Sequence, residues 1–145
     1  MNIQELSVGD WIKTNDEDPR GSRECTIQNI EKWRNNYVLV VKFKDVSIDT
    51  LVWCCFDPIP LTTEILEKNG FELDKHSRWY ILKFNDKKIN VWIDRTGQGR
   101  IEISQPNVFD PEWYIKYANI ECLNIAVHQL QHALRLAGIE KEIVL

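Results

Sequence analysis

One long segment of the chain, residues 124–138, has clear helical periodicity, and it constrains the fold more than any other feature. When successive residues are placed about 100° apart, as in an α-helix, apolar and polar side chains separate onto opposite faces. The apolar arc contains Val127, Leu130, Ala133, Leu134 and Ala137, and the polar face contains His128, Gln131, His132 and Arg135. Asn124 is the expected N-cap, and Gly138 is expected to end the helix in the left-handed conformation. The segment therefore predicts an amphipathic helix that covers a sheet.

The first 60 residues alternate short apolar or β-branched segments with polar turns. The predicted strands follow a turn at 8–13 and cover Cys25–Trp33, Tyr37–Phe43 and Thr50–Phe56, with a tight turn at 34–36. The acidic run 15–18 is interpreted as a solvated loop. Two prolines in 57–60 are expected to end the ladder, because proline lacks the amide that a central strand needs. Residues 1–60 are therefore predicted to form a small SH3-like β-barrel lobe.

Residues 61–145 are predicted to form a second, α+β lobe. Residues 61–71 combine a threonine cap, an acidic first turn and a glycine stop, which predicts a short helix. Period-two alternation then predicts an antiparallel meander of four strands, Trp79–Phe84, Ile89–Asp94, Arg100–Ser104 and Trp113–Cys122. The C-terminal helix is expected to close the lobe, with 141–145 as a tail or a last short strand. The fold class is α+β, and the two lobes are expected to make one compact unit.

Composition and charge narrow the class of function. The 145 residues are 43% hydrophobic and 28% charged, which is typical of a folded globular protein. A formal net charge of −4 argues against a protein that coats nucleic acid, because phosphate binding needs a surplus of lysine and arginine. The N-terminus has no signal-peptide pattern, and no run of about 18 apolar residues occurs. The sequence therefore predicts a cytoplasmic protein that does not bind a membrane.

The four cysteines and six tryptophans are interpreted mainly as core residues. Cys25, Cys54, Cys55 and Cys122 show no C-x-x-C spacing, and adjacent cysteines on a strand point to opposite faces. We expect four reduced and mostly buried thiols, because free cysteine packs as a small apolar residue. No cofactor and no metal site is predicted.

Two motifs resemble those of a known family. They are Pro58-Ile59-Pro60-Leu61-Thr62, followed by Glu64 and Gly70-Phe71, and Val127-His128-Gln129-Leu130-Gln131. As a pair they resemble a family of short uncharacterised proteins from gut anaerobic bacteria and their phages and mobile elements. The resemblance covers most of the chain loosely and implies kinship and a phage or mobile-element origin, without catalytic residues. The chain departs from the family pattern at 133–136, where aromatic residues are typical, and at Ile139, where an acidic pair is common.

His128 and His132 are four residues apart, a spacing that allows two imidazoles on a helix to share a zinc ion. A third ligand would have to come from elsewhere, such as His76 or Cys122. Because two ligands do not make a zinc site, we interpret the pair as a solvated or hydrogen-bonding helix face. His128 is a buried structural histidine if the helix is rotated.

The segment 95–100 places Arg95 and Arg100 around a glycine-containing turn. Backbone amides and guanidinium groups in such a turn can bind a phosphate. The simpler interpretation is a hairpin turn, in which glycine supplies a positive φ.

Alternation also places Trp79 and Trp92 on the same side of the second sheet, opposite the apolar side chains that the helix is expected to cover. An open face with two tryptophans is suited to stacking or to a partner, whereas a covered one belongs to the core between the lobes. The candidate binding residues are Trp79, Trp92, Arg95, Arg100, His128 and His132. We predict a non-enzymatic binding module, with a protein partner or a homo-oligomer favoured over nucleic acid. The alternatives are a nucleic-acid or nucleotide-binding protein and a metal-dependent enzyme that uses His128 and His132.

Overall fold

The structure is a computed structural model that describes residues 3–34, 36–110, 112 and 114–145. Asn35 of the predicted turn, the side chain of Trp53 and all of Trp113 lie outside the described residues. The chain divides into two compact units, Met1–Ile59 and Pro60–Leu145. Each unit contains one five-stranded antiparallel sheet, and the second also contains two α-helices. The predicted α+β class is confirmed.

The first unit is an antiparallel sheet of five strands. They are β1 (Trp11–Thr14), β2 (Glu24–Trp33), β3 (Asn36–Phe43), β4 (Ile48–Val52) and β5 (Phe56–Pro58). The strand order is β4-β3-β2-β1-β5, so the first strand pairs with the last. No pairing joins β4 to β5 among the described residues, and the predicted SH3-like barrel is not confirmed as a closed barrel. A 3-10 turn at Trp53–Cys55 replaces most of the second half of the predicted strand Thr50–Phe56.

The core of the first unit follows the period-two pattern of its strands. Its buried residues are Leu6, Ile12, Cys25, Ile27, Leu39, Val41, Phe43 and Phe56. The loop at 15–18, predicted to be solvated, differs from that expectation at Asp18, whose side chain is fully buried. Asp18 is buried because Arg20 Nε and Arg23 Nη2 contact its carboxylate at 3.0 and 3.4 Å. A buried charge is tolerated when it is paired in this way.

The sheet of the second unit is a meander. Its strands are β6 (Glu72–Leu73), β7 (Tyr80–Phe84), β8 (Lys87–Ile93), β9 (Gly99–Pro106) and β10 (Tyr114–Cys122), in the order β10-β9-β8-β7-β6. The four predicted strands are present with ends that differ from the prediction by at most two residues, and the two-residue strand β6 was not predicted. The start predicted for the last strand, Trp113, lies outside the described residues. One face of this sheet contains the buried residues Tyr80, Ile89, Val91, Ile101 and Ile103.

Helix α1 (Thr63–Lys68) and helix α2 (Val127–Leu136) belong to the second unit. The threonine cap of α1 is confirmed, since the Thr62 hydroxyl accepts a hydrogen bond from the Ile65 amide at 3.3 Å. Neither helix of the described residues has the length and apolar character that crossing a membrane requires.

Helix α2 begins later than predicted. Its N-cap is Ala126, whose amide donates to Gln129 Oε1 at 2.8 Å, and the prediction of Asn124 as N-cap is wrong. The chain is still extended at Ala126, and the Ile125 amide before it donates to the Gly97 carbonyl at 3.0 Å. The predicted end is confirmed, with Gly138 in the left-handed conformation.

Burial of α2 extends beyond the predicted apolar arc. Leu130 and Leu134 are buried as predicted, but His128 and Gln131 are also buried, with 3% and 8% exposure. The alternative in which His128 is buried is therefore confirmed, and the expectation of a solvated face is wrong at His128 and Gln131. Residues 60 and 61 pair with 126 and 125, which adds a neighbouring segment beside the first turn of the helix. The hydrophobic periodicity of a helix indicates one buried face, and it cannot show that a second segment packs beside the helix.

The prediction that most tryptophans lie in the core is wrong for those described. Trp33 is 58% exposed, and Trp11, Trp79 and Trp92 are half-buried. Two of these four, Trp79 and Trp92, belong to the face of the second sheet that lies opposite its buried residues.

Candidate functional site

The strand register aligns four side chains across the second sheet, on the face opposite the buried isoleucines. Trp92 of β8 pairs with Arg100 of β9, and Arg100 pairs with Glu121 of β10. Trp79 directly precedes Tyr80, which pairs with Val91, so Trp79 continues this row on the other side of Trp92. Side chains directly opposite each other in antiparallel strands lie on one face. We call this surface the outer face.

Trp79, Trp92, Arg100 and Glu121 line one pocket of about 290 Å³ on the outer face. The two indoles and the arginine are half-buried, and Glu121 is exposed. The sequence-based prediction that Trp79 and Trp92 share a face is thus met by their common pocket, and Arg100 joins them. We call this the Trp79–Trp92 pocket.

A short loop before β7 holds Trp79 in position. The Asp74 amide donates to the Trp79 carbonyl at 2.8 Å, and the Arg78 amide donates to the Asp74 carbonyl at 2.8 Å. The Asp74 carboxylate accepts hydrogen bonds from the Ser77 hydroxyl and the His76 amide. The bond from Ser77, followed by that from His76, lowers the pKa of Asp74 below its ordinary value. The loop is therefore closed by an ionised aspartate at neutral pH.

Arg100 is fixed by two glutamates. Its Nη2 lies 2.6 Å from Glu121 Oε1, and its Nη1 lies 3.7 Å from Glu102 Oε1. The hydrogen bond to Glu121 raises the pKa of Arg100 above its ordinary value. Lys116 also contacts Glu102. The Arg100 guanidinium at the pocket is therefore paired with carboxylates, which fix its orientation.

Asn90 lies on the outer face close to the Trp79–Trp92 pocket but is not one of the residues that line it. It lies two positions before Trp92 on the same strand and hence on the outer face. Its Oδ1 atom is buried and has no hydrogen-bond partner among the described residues. A buried acceptor in this state has a free-energy cost of about 1–3 kcal/mol. Sequence alone gave one signal, a polar residue beside a tryptophan within an apolar strand.

Arg95 does not line the pocket. It is exposed on the turn between β8 and β9. The amides of that turn are already used, because Asp94 Oδ1 accepts from the Thr96 amide at 2.8 Å and from the Gln98 amide at 3.0 Å. The Thr96 hydroxyl bond is the largest influence that lowers the pKa of Asp94. An internal carboxylate therefore occupies the position that the phosphate-binding hypothesis assigned to a ligand.

His128 and His132 lie on α2, which packs over the opposite face of the sheet and away from the pocket. Their ring centroids are 5.9 Å apart in an edge-to-face arrangement. Neither His76 nor Cys122 joins them as a third ligand within metal-binding distance in the part of the chain that the structure describes. The structure thus gives no support from these residues to a histidine metal centre.

The cysteines differ from their prediction in burial. Cys25 is buried, Cys54 is exposed, and Cys55 and Cys122 are intermediate, so the expectation of mostly buried thiols is wrong. Burial raises the pKa of Cys25 to about 12. Cys54 and Cys55 are more accessible because they lie on the 3-10 turn and not inside a paired strand.

The side chains of the Trp79–Trp92 pocket are suited to non-covalent binding. Indole rings provide large apolar surfaces with one donor each, and Arg100 and Glu121 provide fixed polar groups at the edge. Catalysis by acid, base or nucleophile needs a poised proton acceptor or a reactive hydroxyl or thiol beside the reacting atom. The four lining residues contain neither a hydroxyl nor a thiol, and their one carboxylate is paired with arginine.

Comparisons of the chain with protein-family models, with curated proteins and with solved structures find no match.

Proposed function

We propose that the chain is a non-enzymatic binding module that recognises a protein partner through the Trp79–Trp92 pocket. The observation that supports this most is the pocket itself, in which two partly exposed indoles lie beside a fixed arginine. Tryptophan and arginine are enriched among the residues that dominate protein interfaces. Burial of two half-exposed indoles by a partner is favourable, because it removes apolar surface from water.

The size of the pocket favours a side chain over a small-molecule ligand. Its volume of about 290 Å³ lies just below the range of about 300–1,000 Å³ that is typical of small-molecule sites. One large apolar side chain of a partner fits such a volume, with its backbone available to hydrogen-bond at the edge. The partner is therefore a protein segment that presents one apolar anchor between the two indoles.

The charge of the outer face favours a protein over nucleic acid. The register places four basic and three acidic side chains on it: Lys83, Lys88, Arg100 and Lys116, with Glu72, Glu102 and Glu121. Two of the four basic groups, Arg100 and Lys116, pair with these glutamates. Nucleic-acid binding relies on lysine and arginine that are free to replace counterions along the phosphates. A nearly balanced face with paired charges lacks that excess.

Three further features belong to the same proposal. The pairing of β1 with β5 and the 3-10 turn before β5 support an SH3-like arrangement of the first unit, which stays a prediction. The resemblance to proteins of gut anaerobes, their phages and mobile elements supports a phage-related origin. The free cysteines Cys25, Cys54, Cys55 and Cys122 support a cytoplasmic location, where thiols are kept reduced.

The test is selection of a displayed library of random peptides on the full-length chain. We expect the enriched peptides to share one large apolar residue. They should bind the wild type and Trp33→Ala but not Trp92→Ala. Trp33→Ala is the matched control because Trp33 is 58% exposed and belongs to the first unit. Peptides that bind Trp92→Ala as well as the wild type would contradict the proposal.

Sedimentation velocity and a gel shift distinguish the remaining alternatives. A dimer that dissociates in Trp92→Ala would identify the partner as a second copy of this chain. A monomer that shifts single-stranded nucleic acid through Trp92, with a steep salt dependence, would overturn the proposal and favour the nucleic-acid alternative.

A further inference from the structure

A second cluster, independent of the Trp79–Trp92 pocket, lies in the first unit. The two Sγ atoms of Cys54 and Cys55 and a carboxylate oxygen of Glu17 all lie within 4.8 Å of one another. In a regular strand, adjacent side chains point to opposite faces, so two neighbouring thiols would not converge. The 3-10 turn Trp53–Cys55 brings them to the same side. The turn therefore creates a grouping that alternation of the sequence excludes.

The loop that contains Glu17 is tied to this turn. The Asn15 side-chain amide donates to the Cys54 carbonyl at 2.8 Å, and the Asn15 backbone amide donates to the Cys55 carbonyl at 2.9 Å. The Glu17 amide in turn donates to Asn15 Oδ1 at 3.0 Å. These hydrogen bonds hold the loop at 15–17 against the turn at 53–55. They are made by Asn15 and by backbone groups, and none of them uses the two thiols or the Glu17 carboxylate. Such support is what keeps ligand atoms close enough to share an ion.

We propose that Cys54, Cys55 and Glu17 bind a thiophilic divalent cation of the zinc and cadmium class. Two sulfur atoms and one carboxylate oxygen form a donor set that suits a borderline or soft cation and is poor for magnesium or calcium. Three protein ligands leave a fourth, open position on a tetrahedral ion. The site is partly exposed, with Cys54 and Glu17 at the surface and Cys55 half-buried, so an ion has access to it.

The local electrostatics agree with this assignment. Burial and then the neighbouring Cys54 raise the pKa of Cys55, and the carboxylates of Glu17 and Asp18 act in the same direction. The Asp18 carboxylate is already paired with Arg20 and Arg23, so the exposed Glu17 carboxylate is the neighbour that attracts a cation to the thiols. A thiol must lose its proton to bind a metal ion. Binding should therefore release protons and weaken as the pH falls.

The experiment is titration of the reduced, metal-free full chain with Co²⁺, whose bonds to thiolates absorb light, followed by displacement with Zn²⁺. We expect one ion per chain with thiolate absorption. Cys54→Ser and Cys55→Ser should each weaken binding by at least about 100-fold, and Glu17→Gln by about 10-fold. Circular dichroism establishes that each variant is folded. A second measurement counts the thiols that maleimide modifies, which should fall by two when Zn²⁺ is bound.

Two controls locate the ion. Cys122→Ser removes another partly accessible thiol and should bind as the wild type does. The double variant His128→Ala/His132→Ala removes the alternative ligand pair and should also retain the ion. Absence of thiolate absorption, or equal affinity in the folded Cys54→Ser and Cys55→Ser variants, would overturn the proposal. Loss of binding in the histidine variant with retention in the cysteine variants would do the same.

Discussion

Ile125 lies directly against Gly99: a Cβ atom added at Gly99 would be 2.6 Å from Ile125 Cγ2 and 2.9 Å from Ile125 Cβ. Gly99 is not one of the glycines with positive φ, so space and not backbone conformation requires glycine here. The contact joins the start of β9 to the segment that leads into α2. It is the closest of the glycine contacts described, and it positions the helix over the buried face of the sheet.

Gly99→Ala should therefore destabilise the second unit. Overpacking of a tight site costs about 1–3 kcal/mol, because neighbouring side chains must leave their preferred rotamers. Urea unfolding of the variant should show that loss. In the Ile125→Ala background, where two of the three clashing atoms are absent, the cost of Gly99→Ala should be smaller. Equal costs in the two backgrounds would contradict the role given to the contact.

Leu134→Ala should reduce the free energy of unfolding by about 2–5 kcal/mol, since it leaves a cavity between α2 and the sheet. Leu134 is 1% exposed, whereas Leu136 on the same helix is 62% exposed. Leu136→Ala is thus a matched control and should change stability by less than about 0.5 kcal/mol. Chemical denaturation of both variants makes the comparison. Similar values for the two leucines would show that the helix is placed wrongly.

Asp18 should make the stability of the first unit sensitive to acid. Its burial by itself would raise the pKa, but hydrogen bonds from Arg20 and Arg23 outweigh burial and hold the pKa below its ordinary value of 3.8. A carboxyl with a lower pKa in the folded state stabilises the fold above its unfolded pKa and loses that contribution as the pH falls. The free energy of unfolding should therefore decrease below about pH 4.

The variant Asp18→Asn checks this assignment. At neutral pH it should lower the free energy of unfolding by about 1.5–3 kcal/mol, because hydrogen bonds to a charged group are lost. Below about pH 4 its stability should fall less steeply than that of the wild type. Asp16→Asn, at an exposed neighbour, should change stability at neutral pH by less than about 0.5 kcal/mol. The same acid dependence in wild type and Asp18→Asn would contradict the assignment.

Asn90→Leu should leave stability unchanged or raise it by about 1 kcal/mol, because it removes a buried acceptor that lacks a partner. The same variant should bind selected peptides within about threefold of the wild type, because Asn90 does not line the Trp79–Trp92 pocket. Thermal unfolding and peptide titration measure the two effects separately. A loss of stability greater than about 1 kcal/mol would show that Asn90 has a structural role instead.

The parts of the fold that follow a local period were predictable from the sequence. In β8, Ile89 and Val91 are buried and Trp92 lies on the other face, because alternation in a strand fixes the side of each residue. Leu130 and Leu134 are buried for the corresponding reason in a helix. These inferences depend only on backbone geometry, which is the same in every protein.

The parts of the fold that depend on contacts between segments far apart in the sequence were not predictable. Asn69 is an example: its side chain donates to the Val144 carbonyl at 2.8 Å and accepts from the Val144 amide at 3.0 Å. This pairing fixes the C-terminal segment beside α1, although the two residues are far apart in the sequence. The convergence of Cys54, Cys55 and Glu17 is similar, because it requires a 3-10 turn inside a segment that the sequence predicts to be a strand. No local pattern contains that information.

The most direct test of the proposed function is calorimetric titration of one selected peptide into the wild type, Trp92→Ala and Trp33→Ala. An anchor residue of an interface contributes at least about 2 kcal/mol, which corresponds to about a 30-fold change in affinity. We therefore expect Trp92→Ala to bind at least about 30-fold more weakly than the wild type, with Trp33→Ala within about threefold of it. Affinities for Trp92→Ala and Trp33→Ala that both stay within about threefold of the wild type would contradict the assignment of the Trp79–Trp92 pocket as the binding site.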